Sequence, residues 1–226
     1  MAGGFLLMGA LALVLPVTAA FVAHGFIQLV ANGWRAILHR NHVRWRTVGF
    51  YIAGSVAAAI AAFFIATAPS KPLLFLFLGL VSGLAWLPKG RIRLDAGRPG
   101  DALAAGVLVT GLNLITGVAG PLLDVFFVRT ALTRHQIVAT KAATQVFSHL
   151  AKIIVYGAPL LSVADPAMPP WYLFVAAAPL SIAGTILGGK ILDRLTDARF
   201  ISYTRLIITA LGAMYLLQAA QLYFGF

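Results

Sequence analysis

A chain of 226 residues that is 61% apolar and only 10% charged, with a mean hydropathy of +0.93, is excluded from the soluble globular class, where about a quarter of residues carry charge. Its net charge of +11 would point to nucleic acid in a soluble protein. Here the basic residues lie in short loops between apolar runs, a pattern of topology signals and anionic lipid head groups, so the bilayer is the expected partner and nucleic acid is not.

There are no cysteines and all six acids are aspartate, which excludes disulfides and thiolate metal sites. The first apolar piece, Met1–Leu15, lacks a basic leader and runs on into a further helix, so it does not read as a cleavable signal peptide. A bilayer core of about 30 Å needs about 20 apolar residues per helix. The expected spans are Thr18–Ile37, Val48–Thr67, the shorter Pro72–Leu87, Ile137–Leu161, Trp171–Leu192 and Phe200–Phe224. Between the third and fourth lies Asp101–Val128, broken by Gly117-Val118-Ala119-Gly120-Pro121. Trp34, Trp45, Trp86 and Trp171 fall near helix ends, as an interfacial aromatic belt requires. Gly184 and Gly188 form a small-xxx-small face that reads as helix packing.

Lysine and arginine set the expected topology. Loops 35–46, 89–98, 129–134 and 190–199 are basic, whereas Ala68–Lys71 holds one lysine and Ala158–Pro170 only Asp165. The positive-inside rule puts the first four in the cytoplasm and the other two outside. His39, His42 and His135 then lie in cytoplasmic loops, against solvent or lipid phosphate. Segment 101–128 must enter and leave on one face and is too short for two full spans. It reads as a re-entrant pair of half-helices turning at Gly117–Pro121, which lipid tolerates only where protein or a wet cavity covers the freed backbone. The alternative is one kinked helix with a basic loop on the wrong side.

An internal repeat is compatible with this. Ala2–Arg35 aligns without gaps on Ala119–Lys152, placing His24 on Lys141, Gln28 on Gln145, Asn32 on His149 and Arg35 on Lys152. Three full helices follow the break in each copy, and an odd number forces opposite orientations. The expected fold is therefore an all-α integral membrane protein with an inverted repeat, each copy holding three full transmembrane helices plus a broken helix. The first broken piece reads as truncated, beginning inside its own Gly-rich break. Residues 1–88 form the first repeat, 89–100 a cytoplasmic basic linker and 101–226 the second repeat.

Polarity inside the spans marks the candidate site. His24, Gln28, Asn32 and Arg35 fall at steps of four, four and three, and Lys141, Gln145, His149 and Lys152 repeat those steps, so each set shares one helix face. Thr144 and Ser148 flank the second stripe. Such groups are costly in lipid and mark a pathway; hydrogen-bonding glue between helices, with snorkelling of Arg35 and Lys141, is the alternative. Cationic groups outnumber the single acid Asp124, which points to a small anion as cargo. The break would add backbone donors and positive helix ends, with Pro121 opening the second half-helix and Asn113 and Thr116 supplying side-chain donors. Asp124 reads either as a dipole partner or mate for Lys152, or as a proton-coupling carboxylate; the histidines are also able to carry protons. Arg35 is the expected basic entrance on the cytoplasmic side. No nucleophile triad, metal-ligand cluster or phosphate loop is visible, so no enzyme activity, metal or cofactor is expected.

The segment Gly117-Val-Ala-Gly-Pro121, followed by Leu132-Thr-Arg-His-Gln-Ile-Val-Ala-Thr-Lys141, resembles the second half of the sulfite exporter TauE/SafE family. Ala2-Gly-Gly-Phe followed by Leu15-Pro-Val-Thr-Ala-Ala20 looks like a degenerate first copy. The resemblance covers nearly the whole chain and implies a permease of the bacterial inner membrane for sulfite, sulfonates or related anions. It makes Gly3, Gly4, Gly120 and Pro121 the break residues, with Thr140 and Lys141 opening the following helix. The chain departs from the family in lacking the upstream half-helix and in having Pro121 where a third glycine is common. The combined expectation is a secondary transporter exporting a small anion, with the two stripes facing each other between the breaks. A passive anion channel or a partner-dependent subunit is the alternative, and a homo-oligomer is compatible with the sequence.

Overall fold

The computed structural model describes residues 2–65, 68–87, 93–163, 169–192 and 197–225, and among these every regular element is a helix. They are α1 (Ala2–Val14), α2 (Val17–Leu38), α3 (Trp45–Ile65), α4 (Lys71–Ser82), α5 (Pro99–Thr116), α6 (Gly120–Phe127), α7 (Arg134–Val163), α8 (Trp171–Leu192) and α9 (Asp197–Phe224). One 3₁₀ turn, Arg40–His42, joins α2 to α3 and another, Gly83–Trp86, prolongs α4.

Local chemistry sets the boundaries. Pro16 separates α1 from α2, because the residue before a proline is driven out of the helical region. Pro99 opens α5 and Asp101 lies in its first turn, against the positive helix end. α7 begins at Arg134, three residues before the expected start. Thr133 and Gln136 cap it reciprocally: the Gln136 N–H donates to Thr133 Oγ1 at 3.3 Å and the Thr133 N–H to Gln136 Oε1 at 3.1 Å.

The expected broken segment is present but unequal. α5 has 18 residues, about 27 Å at 1.5 Å per residue, whereas α6 has eight. Gly117 ends α5 with φ 77°, a left-handed conformation open to glycine, and α6 turns back. The Ala96 N–H, just before α5, donates to the Phe126 carbonyl at 2.8 Å. The segment therefore begins and ends at the same place.

Among the described residues four stretches are long and apolar enough to cross a membrane: Trp45–Ile65, Trp171–Lys190 and Ser202–Phe224, which match expected spans, and Pro99–Thr116, which was expected as half of a re-entrant pair. Six were expected. α4 is short, and α2 and α7 carry the polar stripes, which lower their hydropathy. Those two helices hide their stripes against each other. They run antiparallel: Phe21 meets Tyr156, His24 meets Lys152 and Gly25 abuts Ile153, while Ala36 packs beside Ala139 and Ala143.

The remaining helices pair as α3 on α5 and α4 on α9, with α8 leaning on α2. At the α3–α5 crossing a Cβ on Gly54 would strike the Leu103 carbonyl and one on Gly106 the Tyr51 carbonyl, so the two backbones touch. α8 buries none of its apolar stretch inside the protein and presents Leu180 and Leu187 outward, as a lipid-facing helix does. Gly184 and Gly188 have open space beside them, so they make no close helix packing among the described residues.

Candidate functional site

The two stripes converge at the α2–α7 crossing, beside the end of α5. Lys152 is fully buried, and its ammonium donates to three acceptors: His24 Nδ1 at 2.8 Å, the Gly117 carbonyl at 2.8 Å and Asn113 Oδ1 at 3.4 Å. Three donors meeting three acceptors suit an ammonium group. All three acceptors are neutral. The Lys152 Nζ also stands 5.7 Å from the centroid of the Phe21 ring, within cation–π range.

This arrangement fixes the neighbouring protons. His24 Nε2 lies 3.0 Å from the Gly4 carbonyl, which can only accept, so Nε2 carries the hydrogen and Nδ1 offers its lone pair to Lys152. Asn113 is oriented in the same way. Its Nδ2 donates to the Ser148 carbonyl at 3.2 Å, leaving Oδ1 for Lys152. His149 stacks edge-on against His24 with ring centroids 5.6 Å apart. It is 5% exposed, and its Nδ1 is buried with no hydrogen-bond partner. A buried unpaired nitrogen costs on the order of 1–3 kcal/mol.

The break contributes differently from expectation. Backbone donors at the start of α6 were anticipated, with Gly120 and Pro121 opening it, and Pro121 is indeed in its first turn. The contact to Lys152 comes instead from the Gly117 carbonyl, at the negative end of α5. A cation there is favoured by the helix dipole. Tyr156, one turn beyond Lys152, holds the same end by donating to the Leu114 carbonyl at 2.7 Å.

Other candidates separate from this centre. Asp124 pairs with Lys141, not with Lys152, and both are half-buried. Arg35 donates to Asn32 Oδ1 at 3.1 Å. Thr144 is buried and bonds to its own helix at the Lys141 carbonyl, 2.9 Å away. Ser148 turns away from Lys152 into a hydroxyl chain: Tyr51 to Ser148 at 2.6 Å, Ser148 to Thr110 at 2.8 Å and Thr110 to Ser55 at 2.8 Å. Gln28 abuts Gly4, so a Cβ there would strike its amide, and Gln28 and Gln145 are half-buried. Thr140 accepts from the Arg44 N–H at 3.0 Å, tying the start of α7 to the loop before α3. Among the described residues no three histidines or aspartates gather as metal ligands do.

Several contributors carried no sequence signal. Phe21 and Tyr156 meet edge to face, with centroids 4.8 Å apart, on the far side of Lys152 from Gln28 and Gln145. Met8 and Phe21 also press on Gly117. Tyr156 continues the α7 stripe by one step of four, and that spacing is the signal available for it.

This geometry lies within a chain whose residues 1–216 match the sulfite exporter TauE/SafE family. The protein belongs to the TauE/SafE family. No curated protein and no solved structure gives a match. TauE/SafE membership makes the chain a multi-pass membrane protein of exporter type. In this TauE/SafE protein, the buried Lys152 and its neutral neighbours form a polar centre inside the bundle.

Proposed function

We propose that this protein is a secondary transporter that exports a small anion, sulfite or an organosulfonate, by alternating access. The observation that carries the reading is the Lys152 ammonium, fully buried and held only by neutral acceptors, beside the unpartnered Nδ1 of His149. A buried charge left without an opposite charge is costly, and a bound anion relieves that cost. His149 Nδ1, adjacent and unsatisfied, donates a hydrogen bond to such a ligand when it carries the proton.

Burial along the seam favours alternating access over an open channel. Gln28, Arg35, Lys141 and Gln145 are half-buried toward one end of the seam, and Phe21 and Tyr156 are buried across the other. In this reading the half-buried end faces the cytoplasm, with loops 35–46, 89–98, 129–134 and 190–199, of the bacterial inner membrane. Residues 1–88 and 101–226 would then act as two inverted repeats joined by the basic linker 89–100, and the pairs α3–α5, α4–α9 and α2–α7, each drawn from both repeats, would move against one another. His24, Gln28, Asn32, Asn113, Gly117, Gly120, Pro121, Lys141, Thr144, Gln145, Ser148, His149 and Lys152 line or support the route. Asp124 is the candidate for proton coupling.

The test is sulfite flux in proteoliposomes reconstituted with the full chain. Lys152→Ala, shown to be folded by gel filtration and circular dichroism, is expected to reduce flux at least about a hundredfold. Wild-type flux from a folded Lys152→Ala protein removes Lys152 from the mechanism and the reading with it.

A further inference from the structure

The antiparallel crossing of α2 and α7 gives the seam two cationic ends. At one end, Lys152 meets three neutral acceptors, His24 among them. At the other, Ala36 packs beside Ala139 and Ala143, so the neighbouring Arg35 and Lys141 belong to the same level of the seam. Arg35 is turned onto Asn32. Lys141 is closed by the Asp124 carboxylate, delivered from the short α6. Lys141 and Asp124 keep 17% and 11% of their side-chain surface exposed, whereas Lys152 is sealed.

We infer that Lys141, with Arg35 at the same level, forms a second anion-binding subsite on the seam, and that Asp124 occupies it as a tethered carboxylate that a free anion displaces. The inference rests on reading the seam as an anion pathway. The aspartate side chain is itself a small oxyanion, and its docking on Lys141 points to the chemistry this end accepts: a compact group with one negative charge and at least two acceptor oxygens, such as a sulfonate, bisulfite or carboxylate.

The repeat alignment sharpens the contrast. Asp124 falls on Leu7, so the copy that would serve the His24–Lys152 end carries no acid in the corresponding place. One end of the seam thus brings its own anion and the other does not. A tethered group competes at an effective concentration of the order of millimolar or higher. Free anion therefore binds the Lys141 end only weakly while Asp124 is in place, which suits a transit station better than a resting site.

The experiment is isothermal titration of the purified full chain in detergent with sulfite, methanesulfonate and acetate. Asp124→Asn keeps the side-chain shape and removes the charge. It should add a second class of site, or tighten anion binding at least about tenfold, and Lys141→Gln in the same background should abolish the gain. Should Asp124→Asn bind no more tightly than wild type, the tethered-anion idea is overturned.

Wild-type protein provides a measurement that is independent of how the variants fold. Sulfite added to wild type should shift an aspartate carboxylate band in infrared difference spectra as Asp124 leaves Lys141, and an unchanged band overturns the inference. The two readings fail separately. A wild type that binds through Lys152, with no gain in Asp124→Asn, keeps the transporter reading and sinks this one. A wild type whose aspartate band shifts with sulfite, while a folded Lys152→Ala protein keeps wild-type flux, does the reverse.

Discussion

His24 and Lys152 are 128 residues apart in the chain and meet at 2.8 Å, with the imidazole passing a hydrogen bond on to the Gly4 carbonyl at 3.0 Å. This relay joins α7, α2 and α1 through one ring. It demands a single tautomer, with Nε2 protonated and Nδ1 bare. Nitrogen-15 NMR of histidine-labelled protein should show that tautomer for a resonance lost in His24→Asn. A protonated Nδ1 would contradict the relay.

Gly117 is the residue on which the break depends. Its φ of 77° strains any L side chain, and a Cβ there would lie 2.6 Å from Met8 Sδ and 3.1 Å from Phe21. Gly117→Ala should lower unfolding free energy by about 1–3 kcal/mol. Gly111, inside α5 with open space around it, is the control. Gly111→Ala should be neutral or stabilise by up to about 1 kcal/mol. Thermal unfolding in detergent distinguishes the two.

The Tyr51–Ser148–Thr110–Ser55 chain is buried and makes no contact with Lys152 through its hydroxyls. Tyr51→Phe removes one hydroxyl and should cost about 1–3 kcal/mol of stability, while anion flux per folded molecule stays near wild type. A large loss of flux at unchanged stability would move this chain from scaffold to pathway.

Phe21 and Tyr156 close the seam beyond Lys152. Phe21→Ala should raise passive anion leak through proteoliposomes. The same change opens a core void that costs about 3–5 kcal/mol, so Phe21→Leu is the milder companion and should leak less. Tight vesicles from both folded variants would assign the seal elsewhere.

Much of the helix plan was legible because each apolar run is bounded by a proline or a charged loop. Pro16, Pro72 and Pro99 lie at or beside helix starts. The stripes were legible because four residues at steps of four and three can share a face only on a helix, and His24 of one meets Lys152 and His149 of the other. The mate of Asp124 was not legible. Lys141 and Lys152 occupy the same face of α7, three turns apart, and only the placement of α6 decides between them. The length of α5 was hidden because a central glycine break suggests two equal halves, whereas the break lies at its far end. The hydroxyl chain left no pattern at all. Single serines and threonines are common in membrane helices, where they bond to their own backbone, and three that meet a tyrosine across three helices look the same in sequence as three that do not.

The contact of Gly54 with Gly106 limits how the molecule can deform. With backbones touching, α3 and α5 have no layer of side chains to slide on, so they travel as one stiff plank. α4 with α9, and α2 with α7, make two further closely packed units, seamed by side chains such as Leu216 and Lys152. Any rearrangement must then open along the borders between these units. Where the first plank meets α7, the fastening is a set of hydrogen bonds from Ser148, Lys152 and Tyr156, which can be broken and remade without tearing any helix.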